Sequence, residues 1–297
     1  ISNFTTADIN GLQEHEGCDG FFCDARGWVL EMAILLRSNE GLRIRVARGR
    51  GHGLATHLDR YHIREDLTIF QNQEELHSVL LSGGQTKRWL GEFFDVSVPV
   101  KVYQQIQEHC GDNPFSTRSN PARLMAVDWV SSQGFLVTVP KACKDILQSS
   151  LLESGLQDST DEMINYLRLQ QGWPLGNDIP EKTLPQEVGL NARTISLTKG
   201  CYLGQETVAR LDALGHVNRR LVVLAVEKGG SMVVGDSVAS NDGVVSRVTS
   251  VGCLGNQEVS LAMAIIPLKS MQQKSNLTVA GKAANVVSPV LLDTLVT

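Results

Sequence analysis

Apolar and polar residues alternate through the first fifty residues in a pattern that predicts strands. Between residues 28 and 36 every second side chain is apolar, and this run follows a shorter apolar stretch at 20–23 across the turn residues 24–27. A third run at 42–46 places aliphatic side chains on one face and arginines on the other. The pattern is typical of an antiparallel sheet with one buried face, so we expect a hairpin followed by a third strand.

Helical spacing and further strands alternate from residue 54 to residue 172. Helices are predicted over 54–61 and 85–94, a strand over 77–81, and a strand pair over 123–129 and 134–139. Pro140 fits the first position of a helix that stops at Gly155. The next helix is predicted to start at a capping box of Ser159 and Glu162 and to end at Gly172. We expect these last two helices to pack on the sheet.

The pattern changes again after residue 172. Residues 173–193 contain repeated prolines and glycines without periodicity, and long irregular segments of this kind tend to be functional. A short strand at 195–197 and a helix at 205–214 are predicted to follow. Beyond Gly215 the predicted elements are short strands, separated by glycine, asparagine and aspartate, over residues 217–226, 231–237, 243–251, 258–266 and 277–287.

Evenly spaced short strands without a helix longer than one turn predict a small barrel or sandwich. The change from mixed elements to strands alone places a domain boundary near Gly215 to Arg220. We therefore assign the chain to the α+β class, with a body over residues 1–215 and a C-terminal β-barrel domain over residues 216–297.

The composition is that of an ordinary globular protein, with 42% hydrophobic and 20% charged residues among 297. The net charge of -5 argues against bulk electrostatic binding of nucleic acid, because phosphate binding requires a basic surface, but a local basic cleft is compatible with it. No apolar run approaches the ~20 residues that cross a bilayer, and no signal peptide opens the chain. We expect a cytoplasmic protein without a membrane partner.

The six cysteines are scattered, with no Cys-x-x-Cys pair and no cysteine–histidine cluster at zinc spacing, so no resident metal site is predicted. Five of them are expected to be small buried hydrophobes in a reducing compartment: Cys18, Cys23, Cys110, Cys143 and Cys253. The sixth, Cys201, lies beside Lys199 and just before the predicted helix at 205–214. Both a neighbouring cation and a helix N-terminus lower the pKa of a thiol, so Cys201 is the first candidate for chemistry.

The residues around Cys201 leave two interpretations open. Gly200 and Gly204 allow backbone to approach a ligand, and Gln205 and Glu206 add polar groups on the first helical turn. A reactive thiol activated by Lys199 is one interpretation, and a buried cysteine at the helix cap, beside a solvated lysine, is the other.

The whole motif from Lys199 to Glu206 resembles the Lys-Gly-Cys-Tyr/Phe-x-Gly-Gln-Glu signature of the YgfZ family, the folate-binding relatives of the glycine cleavage T protein. Further stretches agree in order along nearly the whole chain, at residues 4–9, 20–27, 167–174, 185–190, 208–210 and 215–219. The resemblance implies a T-protein-like fold, in which an α+β body surrounds a folate-sized opening and a C-terminal barrel follows.

The resemblance also implies a function, which is a folate-binding accessory role in the assembly or repair of iron–sulfur proteins, including tRNA-modifying enzymes. Tetrahydrofolate is the expected cofactor, and an iron–sulfur cluster is expected only transiently, if at all. The implied partners are folate and iron–sulfur enzymes or their assembly machinery. Cys201 is the implied reactive residue with Lys199 beside it, and the implied cofactor-binding residues are Arg168, Gln133, Tyr202, Gly200, Gly204, Gln205 and Glu206.

The chain departs from the T protein in three places. T proteins generally lack the cysteine of the motif, and they carry acidic residues on the strand that matches 30–32, where this chain has only Glu31. They also offer a glutamate to the pterin near residues 132–134, where this chain has Gln133, which carries no charge. The alternative function, an aminomethyltransferase of the glycine cleavage system, is therefore disfavoured. Whether the protein is an enzyme stays open, with folate-dependent one-carbon chemistry, thiol chemistry and a pure binding scaffold as the possibilities.

Overall fold

The computed structural model describes residues 1–71, 74–108, 121–215, 217–227, 231–255, 258–272 and 276–292. These residues form three antiparallel sheets of three, four and seven strands. Cys110 and His216 lie outside the described residues. No helix in the described part is long and apolar enough to cross a membrane.

The first sheet contains the predicted hairpin and third strand. Its strands are β1 (Gly17–Cys23), β2 (Val29–Ser38) and β3 (Gly41–Val46), paired in that order. The hairpin turn forms because one side-chain oxygen of Asp24 accepts the backbone N–H groups of Arg26 and Trp28, each at 2.9 Å. The helix α1 (Gly51–Asp59) buries Leu54 and Leu58 in the cluster on the outer face of this sheet.

The second sheet has the order β4-β7-β6-β5. Its strands are β4 (Leu76–Ser82), β5 (Gln105–Glu108), β6 (Ala122–Val127) and β7 (Gly134–Pro140), of which β5 was not predicted. The helices α2 (Thr86–Phe94) and α3 (Lys144–Glu153) cover one face through Leu90, Phe94 and Leu147. The other face packs against the first sheet, where Ile34 and Leu36 share a core with Met125 and Leu136.

The helix α4 (Asp161–Gln171) corrects two details of the prediction. Its N-cap is Thr160 rather than Ser159, because the Thr160 hydroxyl accepts the N–H of Met163 at 3.2 Å. It also packs against strands of the C-terminal sheet instead of joining α3 on the sheet of the body. Gly172 ends the helix with a φ of 80°, as the sequence predicts.

The segment from 173 to 204 is irregular, with single helical turns in place of longer elements. It contains a 3-10 turn at Gly176–Asp178 and the short helices α5 (Pro185–Val188) and α6 (Asn191–Thr194). The predicted strand at 195–197 is wrong, because only one backbone bond, from Ser196 N–H to the Thr6 carbonyl, joins it to a neighbour. The predicted helix follows as α7 (Gln205–Leu214).

The third sheet runs from residue 219 to residue 287 in the order β10-β9-β13-β14-β8-β12-β11. Its elements are β8 (Arg219–Glu227), β9 (Ser237–Ser240), β10 (Gly243–Arg247), β11 (Ser250–Gly252), β12 (Val259–Pro267), α8 (Lys269–Gln272), β13 (Leu277–Val279) and β14 (Lys282–Val287). The strand predicted at 231–237 begins only at its last residue. The sheet curls so far that the Ser246 hydroxyl of β10 donates to the Ile265 carbonyl of β12, which gives a half-barrel.

Candidate functional site

Cys201 lies on the loop that connects α6 to α7, and its side chain is exposed. The N-cap of α7 is Gly204, three residues further on. The interpretation of Cys201 as a buried helix-capping cysteine is therefore wrong, because the thiol is neither buried nor at the cap. Burial raises the pKa of the Cys18 and Cys23 thiols to about 12, and Cys143 is buried as well. Cys201 is thus the accessible thiol among these four.

Lys199 holds the N-terminal segment to this loop. Its ammonium group donates to the backbone carbonyls of Ser2, Thr5 and Ala7 at 2.7, 2.7 and 2.8 Å. An ammonium has three N–H donors, so these carbonyls use all of them. Partial burial lowers the pKa of Lys199, and the nearby carboxylate of Asp8 opposes this shift. The contacts give Lys199 a positioning role, and its predicted catalytic role stays a prediction.

Gly204 brings the other end of the loop against the first hairpin. Its φ is +81°, and a Cβ there would lie 2.5 Å from the Asp24 carbonyl oxygen and 2.7 Å from the Gly27 Cα. Gly27 has a φ of +82°, and a Cβ there would lie 3.2 Å from the Gly204 carbonyl oxygen and 3.0 Å from the Thr207 Cβ. Only glycine accepts both the left-handed backbone and this contact, so the two glycines determine where α7 begins.

The other predicted residues of the motif have different surroundings. Tyr202 is buried, and the Lys199 ammonium lies 5.2 Å from the centre of its ring, within the range of a cation–π contact. Gln205 begins α7 and donates its N–H to the Tyr202 carbonyl, and Glu206 is exposed on the first turn. Gly200 has open space where a Cβ would lie. The cofactor-binding roles of these residues stay predictions.

Arg168 is buried at the junction between α4 and the third sheet, with 4% of its surface exposed. Its guanidinium donates to Asp178, to the Trp173 carbonyl and to the Ser250 hydroxyl at 3.0, 3.1 and 2.6 Å, and its Nε donates to Asn165 at 2.9 Å. Burial lowers the pKa of Arg168, and Asp178 opposes that effect. These acceptors all belong to the protein, so a folate contact of Arg168 stays a prediction.

Gln133 lies elsewhere, on the exposed turn between β6 and β7. It borders an open surface groove next to α2, together with Lys87, Arg88 and Glu92. Arg168 and the residues of the Cys201 loop do not line this groove. The sequence-predicted site residues therefore divide among three places, which are the loop, the buried junction and the groove.

A cluster that the sequence did not indicate surrounds Arg193 of α6. The Nε group of Arg193 donates to Asp19 at 2.5 Å, and its terminal nitrogens donate to both oxygens of Asp128 at 2.9 and 3.2 Å and to the Tyr103 hydroxyl at 3.0 Å. The guanidinium also lies 5.5 Å from the ring centre of Trp173. The cluster thus joins β1, the end of β6, the start of the irregular segment and α6.

The cluster contains two stacked indole rings and a carboxylate oxygen without a hydrogen-bond partner. The rings of Trp129 and Trp173 stack with their centres 5.7 Å apart, and Trp129 donates its N–H to the Tyr103 hydroxyl. Asp19 is 2% exposed, and its Oδ1 atom has no hydrogen-bond partner. Burial raises the pKa of Asp19 to about 6, although Arg193 and the Tyr103 hydroxyl act in the opposite direction. A buried carboxylate with a spare oxygen, beside aromatic faces, is suited to a flat ligand with N–H donors.

Comparison with known proteins shows what the chain is similar to. No protein-family model matches the chain. The chain is 28% identical over 221 residues to a tRNA-modifying protein YgfZ from Colwellia psychrerythraea, and 28% identical over 228 residues to one from Shigella dysenteriae. It is therefore similar to proteins of the YgfZ family. Each match covers 74% of this chain and only 63% or 64% of the relative.

The chain has the fold of the glycine cleavage T protein. An aminomethyltransferase T of the glycine cleavage system from Bartonella henselae superimposes with a TM-score of 0.78, covering 99% of this chain and 79% of the other. The two are 18% identical, so the likeness shows the fold alone. The predicted α+β class and T-protein-like architecture are confirmed, with a half-barrel as the C-terminal sheet.

Glu31 occupies the strand on which the sequence comparison expects the acidic residues of T proteins. It is 5% exposed, and its carboxylate accepts the Nε proton of Arg50 at 2.7 Å. Burial raises the pKa of Glu31, and Arg50 opposes the shift. In this chain the Glu31 carboxylate is therefore engaged in an ion pair. No group of three or more metal-binding side chains occurs in the described part of the protein.

Proposed function

We propose that this protein binds tetrahydrofolate and serves the assembly or repair of iron–sulfur enzymes, tRNA-modifying ones among them, through the thiol of Cys201. The observation that carries the proposal is the exposed thiol on a loop held at both ends, by Lys199 and by Gly204. The relatives named tRNA-modifying protein YgfZ support the connection with tRNA modification.

The position of Cys201 supports a role in contact with another protein. An exposed thiol on a loop meets a partner without any rearrangement of the core, whereas the Cys18 and Cys23 thiols are held protonated by burial. The thiolate form is both a nucleophile and a ligand for iron. The iron–sulfur centre belongs to the client enzyme and acts as cargo, and Cys201 acts on it by redox chemistry, transfer or transient ligation.

The Arg193 cluster supports a place for the pterin end of folate. A pterin is a flat ring with a guanidine-like edge, and the cluster has carboxylates at Asp19 and Asp128 for that edge and the rings of Trp129 and Trp173 for its faces. The unpartnered Oδ1 of Asp19 is an acceptor that is available to such a ligand. Tetrahydrofolate, when bound, supplies a carrier for one-carbon units. Arg193 engages the same carboxylates, so it and the pterin compete for them.

The ion pair at Glu31 argues against the alternative, an aminomethyltransferase. A catalytic carboxylate in that reaction has to be available to the amine, and the Glu31 carboxylate is engaged by Arg50. An assay with an aminomethyl-lipoyl carrier protein and tetrahydrofolate separates the two functions. Turnover in that assay would establish the alternative.

The proposal has a cellular test and a binding test. Expression of this chain in cells that lack their own YgfZ-type protein is expected to restore the activity of an iron–sulfur tRNA-modifying enzyme. In equilibrium dialysis the protein is expected to bind tetrahydrofolate, and Asp128→Asn is expected to weaken binding by ~10-fold or more, the effect of losing one charged hydrogen bond. The exposed Asp158→Asn serves as the control. Failure to restore activity contradicts the accessory role, and equal affinity of Asp128→Asn contradicts the folate site.

A further inference from the structure

Three arginines lie where the first two sheets face each other. On β6, Arg123, Met125 and Val127 share one face, because side chains alternate along a strand. Met125 and Val127 belong to the apolar core that also contains Ile34 and Leu36 of β2. The interface between the two sheets is thus apolar along most of its length, and Arg123 lies on the same face near the start of β6.

Arg43 and Arg45 of β3 approach the same end of this interface from the first sheet. Arg43 pairs across the strands with Leu36, and Arg45 with Ile34, so both arginines share the inward face of those core residues. Arg45 donates to the Ser78 hydroxyl of β4 at 2.9 Å. The Ser78 hydroxyl in turn lies 2.9 Å from the Thr138 hydroxyl of β7.

Arg123 is neighbour to this row, since it pairs directly with Thr138 across β6 and β7. Only 8% of its surface is exposed, and its Nε atom is buried without a hydrogen-bond partner. Among the described side chains none forms a salt bridge with Arg123 or with Arg45. Burial lowers the pKa of Arg123, and the nearby charge of Arg43 lowers it as well. The resulting pKa of Arg123 is about 10.

A buried cation without a carboxylate is unfavourable in a structural role, because desolvation of the charge is not compensated by an ion pair. Arg43 lies 3.3 Å from the Glu40 carboxylate on the exposed side. Arg45 and Arg123 have no carboxylate partner among the described residues, so these two guanidinium groups contribute two positive charges. Guanidinium groups match tetrahedral oxyanions through paired N–H donors, and hydroxyls such as Ser78 and Thr138 add neutral contacts.

We propose that Arg45 and Arg123, with Arg43 beside them, form a binding site for a small dianionic oxyanion, in the form of the phosphate group of a phosphate monoester. The orphaned Nε of Arg123 and the uncompensated charge of Arg45 are the donors that the anion engages. Two positive charges favour a dianion over the singly charged phosphate of a phosphodiester. The site is independent of the Cys201 loop and of the Arg193 cluster, since it shares no residue with either.

The test is thermal unfolding of the full chain with inorganic phosphate, against sodium chloride at matched ionic strength. A ligand that binds only the folded state raises the unfolding midpoint, and the stabilisation grows with the logarithm of one plus the ratio of ligand concentration to Kd. We expect phosphate to raise the midpoint in the wild type and in Arg88→Gln, which changes an exposed arginine paired with Glu92. We expect no such rise in Arg123→Met, in which the Kd for phosphate increases ~10-fold or more.

The same variant separates a ligand site from a structural arginine. Arg123→Met is expected to unfold at the same or a higher temperature than the wild type without phosphate, because it removes a desolvated charge. A lower midpoint without phosphate, or a phosphate effect equal to that of the wild type, would overturn the proposal. If Arg123→Met does not fold, Arg45→Gln is measured in its place with the same expectation of a lost phosphate effect.

Three further ligands test the chemical class. A nucleoside monophosphate, a dianion, is expected to bind at least ~10-fold more tightly than a dinucleotide with a single internal phosphodiester, because each arginine contact is charge-assisted. Equal binding of the two would contradict the assignment to a monoester. A triglutamate peptide that protects as well as phosphate does would assign the site to carboxylates and overturn the phosphate proposal.

Discussion

Gly204 and Gly27 meet backbone to backbone, such that a Cβ on Gly204 would lie 2.7 Å from the Gly27 Cα. One glycine starts α7 and the other closes the turn between β1 and β2, so a contact between residues far apart in sequence fixes the end of the Cys201 loop. Lys199 fixes its other end through three carbonyls of the N-terminal segment. The thiol therefore has a defined position although it is exposed.

Gly204→Ala is expected to destabilise the protein by ~2–4 kcal/mol, the sum of a left-handed backbone and an overpacked contact. The Cβ would lie 2.5 Å from the Asp24 carbonyl oxygen, and main-chain atoms on both sides leave little room to relax. Urea unfolding measures the effect. The matched control is Gly200→Ala, where nothing lies within 4 Å of the added Cβ, and it should leave stability nearly unchanged. Equal effects of the two variants would contradict the packing account.

Lys199→Met is expected to loosen the N-terminal segment, because the carbonyls of Ser2, Thr5 and Ala7 lose their common donor. Hydrogen exchange should become faster in residues 2–7 and in the Cys201 loop. The rate of Cys201 alkylation distinguishes this positioning role from direct activation of the thiol. We expect the rate to stay the same or to rise as the loop loosens, and a slower alkylation in Lys199→Met would instead support the predicted catalytic role of Lys199.

The sequence motif predicted the loop better than it predicted the roles within it. The start of α7 follows from local signals, which are two glycines and a run of helix formers, whereas the exposure of Cys201 was left open by them. The partners of Lys199 do not, because they lie more than 190 residues earlier in the chain. Because Lys199 is close to Cys201 in sequence, the motif suggested that it activates the thiol. In the fold its ammonium group instead donates to three backbone carbonyls.

Arg168→Gln is expected to destabilise the fold by ~3–5 kcal/mol, because it leaves the Asp178 carboxylate buried without its cation. Asp178 is completely buried, and it also accepts from the Thr249 hydroxyl of the segment between β10 and β11. The exposed Arg210→Gln on α7 is the control and should be close to neutral. A loss below ~1 kcal/mol for Arg168→Gln would show that the junction does not depend on this pair.

Asp19 is expected to make stability depend on pH. Its pKa in the folded protein is about 6, above the ordinary value of 3.8, so the folded state holds this proton more tightly than the unfolded state. The contribution is fully present below pH ~4 and is lost as the pH rises through ~6, with a total on the order of 2–3 kcal/mol. Urea unfolding should therefore show that the free energy of unfolding decreases more between pH ~4.5 and pH ~7.5 in the wild type than in Asp19→Asn. Parallel decreases in the two proteins would contradict the raised pKa.

The Arg193 cluster shows why part of the candidate site was beyond sequence reasoning. The predicted strands at 20–23 and 123–129 correspond to β1 and β6, although β1 starts earlier and includes Asp19, and β6 ends one residue before Asp128. The irregular segment was recognised as a functional candidate. The pairing of Arg193 with Asp19, however, joins residues 174 positions apart. No periodicity or spacing reports which face of α6 meets which face of β1. The strands of the half-barrel were predictable because short apolar runs between turn residues mark them locally. Their order was not, since β8 pairs with β12 and β14, more than 30 residues further along the chain.

The most direct test of the central claim compares two cysteine variants in cells that lack their own YgfZ-type protein. Cys201→Ser removes the exposed thiol of the loop. Cys253→Ser makes the same chemical change at a half-buried thiol of the third sheet and serves as the control. The measured quantity is the activity of an iron–sulfur tRNA-modifying enzyme, with both variants expressed at equal level. We expect Cys253→Ser to restore activity to the wild-type level and Cys201→Ser to restore less than ~10% of it, as for loss of a nucleophile or ligand. Full restoration by Cys201→Ser would contradict the role assigned to this thiol.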